Sequence, residues 1–419
     1  MSRYFLLLIA FAALALPGAA SAAERHASPS GTGNPAECFA PAPCSLTDAL
    51  SNGFLNDGDE VILAPGTYTV SSVLALSKAV LVRGSGGVAA TVIESNGPGD
   101  GFIVTNANAE LRDFELRHNA GTGDGLVLNS GTVERVIFRS SIRDACVYND
   151  GTIRDSVCAS SASNGAGIHG NFGGSPSVNL TLRNVTAIGS GAVNSRGINF
   201  YASDTSIVNL DGMSVIARGT TDDVYAAKTS GAALAVAFAY SNYSDVNIAG
   251  DGLATVTNPT TNNNQTALPL FVNAPAGDYH QAAGSPTIDG GSADLSSGIT
   301  DFDGQTRPSG VAYDIGADEY MTPAPPAPGP AADTTPPAGK FTKKPRRKSR
   351  TRTAKFKFSS NEPGSTFRCK LDRGKYKSCK SSFTKRMKPG KHTLRMVAVD
   401  AAGNADPTPV VWSWRVTKR

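Results

Sequence analysis

The chain has 419 residues, including 44 Gly and 25 Pro, with 40% apolar and 7% aromatic side chains. That length allows two domains with cores of their own, and a composition rich in Gly, Ser, Thr, Asn and Val fits short strands and tight turns and argues against a helical protein. The formal net charge of +4 is near neutral, yet it conceals two oppositely charged parts.

Residues 1–22 read as a signal peptide. Arg3 supplies the positive end, Phe5 to Leu16 is an apolar run too short for a comfortable membrane span, and Ala20-Ser21-Ala22 is a cleavage site. The mature chain is expected to begin near Ala23, extracellular or at the cell surface, with no transmembrane anchor. The six cysteines fit an oxidising compartment. They fall in local pairs, Cys38 with Cys44, Cys146 with Cys158, and Cys369 with Cys379, which favours disulfides. No CxxC and no clustered His accompanies them, so a metal site is the weaker alternative.

Ser45 to Leu50 reads as a short capped helix stopped by Gly53, placed to cover the open end of a solenoid. From about residue 60 a degenerate repeat of roughly 20–30 residues begins, the period of a solenoid coil. One column reads Phe102, Leu126, Cys146, Ile168 and Ile198. A second reads Phe114, Val136, Ser156, Val185 and Met213, and a third Leu116, Phe138, Cys158, Ala187 and Val215. Turn positions between strands are Asp113, Arg135, Asp155, Asn184 and Gly212. One coil cannot bury its own apolar face, but stacked coils can, with successive strands pairing in parallel about 4.8 Å apart. Cys146 and Cys158 then both point inward in one coil and form a buried disulfide or, failing that, a pair of inert core thiols. The β-helix with its cap is assigned to residues 23–320.

Residues 321–338, MTPAPPAPGPAADTTPPA, form a Pro-rich linker. From Ala338 onward there are 24 Lys+Arg and 4 Asp+Glu, a net of about +20, which leaves 15 basic and 31 acidic residues before it. The basic domain is assigned to 339–419. Such charge attracts anionic polymers, and Lys343, Lys344, Arg346, Arg347, Lys348 and Arg350 are the candidate binding residues. The alternative is a solubilising surface. No nucleic-acid reader motif appears, so no specific nucleic-acid partner is expected.

The run GDEVILAPGTYTV (Gly58 to Val70) resembles the first coil of pectin-lyase-like right-handed β-helix proteins. LPLFVNAPAGDYHQAAGSPTIDGGS (Leu268 to Ser292) and DFDGQTRPSGVAYDIGADEY (Asp301 to Tyr320) resemble the end of choice-of-anchor Q domain proteins, which are exported bacterial β-helix proteins; Asn273 departs from that pattern, where an Asp is expected. DTTPP (Asp333 to Pro337), Phe356 to Asp372 and His392 to Pro409 are similar to a small Ig-like domain of exported actinobacterial proteins, with a heavier basic content here. The fold class these resemblances imply is all-β: a right-handed single-stranded parallel β-helix followed by a small Ig-like β-sandwich.

Such β-helices host polysaccharide lyases and hydrolases, as the resemblance implies, yet the motifs of those enzymes are missing. No Arg-x-Pro-x-x-Arg pattern occurs, and the lone Asp222-Asp223 pair reads as a solvated turn. Serine-nucleophile elbows and phosphate loops are absent as well. The column Asp100, Asp124 and Asp144 places carboxylates about 5 Å apart by strand spacing, a candidate Ca²⁺ site whose alternative is a row of hydrated turn residues. Asp289, Asp301, Asp303 and Asp314 form a second acidic set, read as structural closure of the helix end, with Arg307 pairing Asp314 or Glu319. His169 faces away from Ile168 and is read as exposed, the sole acid/base candidate on the wall. The functional expectation is an exported noncatalytic protein that binds carbohydrate or an anionic envelope polymer. The alternative is a lyase acting on an acidic polysaccharide.

Overall fold

A computed structural model describes residues 22–174, 177–251, 254–322 and 333–418. Nearly all of the expected signal peptide and the middle of the Pro-rich linker lie outside the described residues. Among the described residues no helix is long and apolar enough to cross a membrane. The chain divides into two compact units between Thr322 and Pro323.

The first unit is a parallel β-helix. Its larger sheet has 13 strands and its smaller sheet 8, and every strand pair within them is parallel. Each coil contributes one long strand to the larger sheet, as in Glu110–His118, Thr132–Ser140, Gly151–Ser160 and Val178–Gly189, and one to the smaller, as in Phe102–Val104, Leu126–Leu128 and Cys146–Tyr148. The first inward column forms as expected, with Phe102 opposite Leu126, Leu126 opposite Cys146, Cys146 opposite Ile168 and Ile168 opposite Ile198. All five are fully buried. Phe102 stacks on Phe114, and Phe114 meets Phe138 edge to face, with ring centroids 6.4 and 6.5 Å apart. Burial of each such ring stabilises the coil by about 1.5–3 kcal/mol.

The long strands bend at a single left-handed residue per coil: Asp113, Arg135, Asp155 and Asn184, with φ of 64, 50, 46 and 53°. This conformation costs a non-Gly residue about 1–3 kcal/mol. Side chains stacked along the bend compensate. Arg135 donates to both oxygens of Asp113, at 2.7 and 3.1 Å, and Asn184 donates to Asp155 at 2.9 Å.

The next coil corrects the expected register by two residues. Its bend is Ser214 (φ 55°), followed by Tyr240 (φ 49°), because Arg183 pairs with Met213 and Thr186 with Ile216. The second column therefore continues into Val215, and the third into Ala217, with Ala187 opposite Ala217. Gly212 faces inward between Leu182 and Phe238. The Phe238 ring lies within 2.5 Å of where a Cβ on Gly212 would be, so it occupies the room of the missing side chain.

The first end is closed as expected. Helix Leu46–Ala49 is capped by Ser45, whose hydroxyl accepts from the Asp48 amide, and Leu46, Ala49 and Leu50 join the main core with Cys38 and Cys44. All three local cysteine pairs are disulfides, with Cα separations of 5.0, 5.8 and 5.8 Å.

Beyond the last coil the chain does not simply close the end. Residues 268–320 turn back as a strap along the outer flank of the larger sheet. There Tyr279, Phe302, Ile315 and Ala317 cover Ile137, Val157, Ile188 and Ile216, a second apolar cluster outside the barrel. Gly316 donates to the Ser214 carbonyl and Ala317 to the Thr186 hydroxyl. Arg307 is fully buried against Asp155 at 3.3 Å and Glu319 at 3.1 Å. Of its two expected partners, Glu319 is engaged through its carboxylate and Asp314 only through its carbonyl.

The second unit has a three-stranded sheet (Gly339–Lys343, Thr353–Ser360, Ser382–Arg386) and a five-stranded one (Lys348–Ser349, Val410–Val416, Gly390–Val399, Thr366–Leu371, Lys377–Cys379). Alternation along Thr353–Ser360 buries Ala354, Phe356 and Phe358 in one core with Leu394, Met396 and Trp414.

Candidate functional site

Three regions concentrate chemistry. The first is the surface of the basic unit. Lys343, Lys344, Arg346, Arg347, Lys348 and Arg350 are all exposed. Strand Lys348–Ser349 pairs with Val410–Val416, and Arg415 donates to the Arg347 carbonyl at 2.8 Å, which pins this basic run beside Trp412. The indole Nε1 donates to the Pro345 carbonyl at 3.0 Å. Lys344 Nζ lies 4.0 Å and Arg347 Cζ 4.9 Å from the ring centroid, so the aromatic face holds two like charges near each other. Among described residues 333–418, no Lys or Arg makes an ion pair with a carboxylate; only His392 does, with Asp372 at 2.9 Å.

The wall of the first unit is the reverse case. Every Arg from Arg83 to Arg307 has a carboxylate within ion-pair distance. Asp100, Asp124 and Asp144 stack on successive coils as expected. Their Oδ1 atoms accept the backbone amides of Asp124, Asp144 and Ala166 at 2.8, 3.2 and 2.6 Å, so each carboxylate ties its coil to the next. Burial, and then the neighbouring Asp144 charge, push the Asp124 carboxyl above its ordinary range. His169 is half-buried rather than exposed, because Asp144 Oδ2 holds its Nδ1 at 2.9 Å. Asp222 and Asp223 are likewise no solvated turn. They open strand Asp222–Lys228, are 5% and 4% exposed, and pair with Arg196 and Arg218.

The third region is the flank where the strap meets the wall. A groove of about 820 Å³ runs between the later coils and the strap hairpin, lined by Ile188, Thr220, Thr221, Asp245, Leu268, Phe271 and Pro275. A smaller one, of about 200 Å³, lies further along and is lined by Glu115, Ile137, Arg139, Tyr279, His280, Phe302 and Asp303. Here His280 bridges two carboxylates, with Nδ1 2.5 Å from Asp278 and Nε2 2.6 Å from Asp303. These hydrogen bonds, Asp303 foremost, raise the imidazole pKa to about 9. Burial pushes the neighbouring Asp318 up to about 7. Arg139 is held by Glu115 and lies 5.7 Å from the Tyr279 ring centroid.

Three of the four aspartates of the acidic set organise the strap loops, and the fourth, Asp303, holds His280. Asp289 accepts the amides of Val311 and Ala312, Asp314 those of Asp289 and Tyr320, and Asp301 those of Asp303, Gln305 and Glu319. Their place is the flank rather than the helix end. His280, Asp278, Asp318, Glu115 and Arg139 gather here without any pattern in the sequence that marks them as a group. No spacing signals them, since the reversal of the strap alone brings residues 278–318 to residues 115–139.

No family model matches the chain. Among solved structures it is similar to a pectate lyase, Pel9A, at 16% identity and a TM-score of 0.39, over 72% of this chain and 97% of that one. It is also similar to ORF18 of Geobacillus virus E2, at 10% identity and a TM-score of 0.28, over 88% of this chain and 71% of that one. Neither likeness carries a residue role to this chain.

Proposed function

We propose that this is an exported, noncatalytic protein that binds carbohydrate or an anionic envelope polymer, such as a glycerol-phosphate chain or an acidic polysaccharide. The observation that carries the reading is the contrast in charge pairing. The wall neutralises its arginines internally, whereas the Lys and Arg of residues 339–418, exposed except for the half-buried Lys370, have no carboxylate partner. Unpaired surface cations on a small domain attract polyanions over a Debye length. In this reading the two small sheets are the Ig-like module, which provides electrostatic attachment, and the β-helix presents a rigid flank. The local disulfides, and the signal peptide expected over residues 1–22, fit export.

The test is retention of the purified protein on isolated cell envelope, on a glycerol-phosphate polymer and on neutral dextran, across a salt series. Retention on the two anionic supports should fall steeply between low and physiological ionic strength, and dextran should retain little. Retention indifferent to salt would count against the reading. A polysaccharide lyase is the second reading, favoured by one observation: the smaller flank groove brings Arg139, Glu115 and His280 together. Release of unsaturated uronate from pectate, alginate or hyaluronan would support it, and silence on all three would remove it.

A further inference from the structure

We propose that the strap holds a divalent transition-metal ion between His280, Asp303 and Asp318. One ring nitrogen of His280 and one carboxylate oxygen from each aspartate all lie within 4.8 Å of one another, and Nε2 is the nitrogen that faces Asp303. A first-row ion bound at about 2.0–2.2 Å from each ligand separates its ligand atoms by roughly 3–4 Å. The trio therefore reaches coordination geometry through small side-chain shifts, chiefly an opening of the 2.6 Å contact between His280 and Asp303. The ion takes the place of the proton those two groups share.

The surroundings suit this occupant. Asp278 accepts from Nδ1 at 2.5 Å and Phe302 packs on the ring with centroids 4.8 Å apart, so the imidazole is oriented with Nε2 toward the cluster. A carboxylate on the far nitrogen of a metal-binding His is the usual outer partner of such sites. Asp318 is 4% exposed and is anchored by the Gln281 amide at 2.6 Å. Three aspartates around one imidazole leave surplus negative charge for a dication to neutralise. His280 and Asp303 line the small flank groove, which gives an ion and its waters a route in. One imidazole with two carboxylates selects Mn²⁺, Co²⁺ or Zn²⁺ over Ca²⁺ and Mg²⁺, which prefer all-oxygen sites. The ligands come from three separate stretches of the strap, so a bound ion fastens the strap to itself.

The test uses the full-length protein after chelator treatment, with Mn²⁺, Co²⁺, Zn²⁺, Ca²⁺ and Mg²⁺ added singly. Calorimetry should show one transition-metal ion per chain, and the melting midpoint should rise by about 3–6 °C at a hundredfold excess over Kd. The Co²⁺ form should show a visible absorption band characteristic of nitrogen ligation. Asp303 is a surface residue, so Asp303→Asn is expected to fold, and with His280→Gln it should weaken binding at least tenfold. His169→Gln should leave binding unchanged. No stoichiometric binding of any transition ion, or full binding by both strap variants, would overturn the site. A Ca²⁺ response that survives in those variants would also overturn it, and would point to the Asp100, Asp124 and Asp144 ladder instead.

Discussion

His118 is a titratable side chain that the fold buries without a use for its charge. It is 0% exposed, in register between Ser95 and Ser140, and neither ring nitrogen makes a hydrogen bond of good geometry. Burial lowers its pKa, against a smaller opposing pull from Asp100. The folded state therefore binds this proton less readily than the unfolded chain. The stabilisation is complete above the ordinary His value of about 6.5 and is lost as pH falls below it. His118→Leu should remove that loss. Its melting midpoint relative to wild type should rise between pH 7.5 and pH 5; a difference that ignores pH would disprove the assignment. Cys146 and Cys158 lie in two different inward columns and are joined across 12 residues of chain. Replacing both with Ala should cost about 2–4 kcal/mol, through restored freedom of the unfolded chain and a small void, read as a lower urea midpoint.

At the scale of elements the strap is the unexpected piece. The apolar positions 137, 157, 188 and 216 lie on the outside of the coils, and without a cover they would expose a continuous hydrophobic stripe. Arg307 fastens the cover, since its guanidinium is 0% exposed between Asp155 and Glu319. Arg307→Met should leave two buried carboxylates without their cation, a change worth about 3–5 kcal/mol. The strap should then become protease-sensitive and the stripe should bind a hydrophobic dye, while the coils keep their far-ultraviolet signal. An unchanged cleavage pattern would deny Arg307 this role. Coils and strap also differ in how far their sequences disclose them. The columns through Phe102, Leu126 and Cys146 were legible because the pattern repeats coil after coil and each error would be visible against its neighbours. The slip at Gly212 was not, because its inward position is filled by Phe238 from the following coil, a compensation that no local pattern contains. His280 was silent for a similar reason, since its partners are assembled by a chain reversal.

For the whole molecule the deciding property is where charge is left unpaired. The formal net charge of +4 says little about partners, because the wall closes its ion pairs and the basic unit does not. Changing Lys343, Lys344, Arg346, Arg347, Lys348 and Arg350 to Gln takes the net charge to about −2. All six are exposed, so the melting midpoint should move little; the contacts of Lys344 and Arg347 with Trp412 are worth only about 0.5–1 kcal/mol each at such sites. Polymer retention should respond strongly. At an ionic strength near 0.01 M the Debye length is about 30 Å, and the remaining cations still reach a polyanion together. At 0.15 M it is about 8 Å, and only charges close to the polymer count. The variant should therefore keep some binding to a glycerol-phosphate polymer at low salt and release it well before wild type as salt rises. A second variant with six Gln at Lys355, Lys357, Lys375, Lys377, Lys385 and Lys388 carries the same net charge. If the two variants release together, attachment depends on total charge alone; if the first releases earlier, the strip beside Trp412 is the contact face. Wild-type behaviour in both would show that the unpaired cations do not hold the protein to a polyanion.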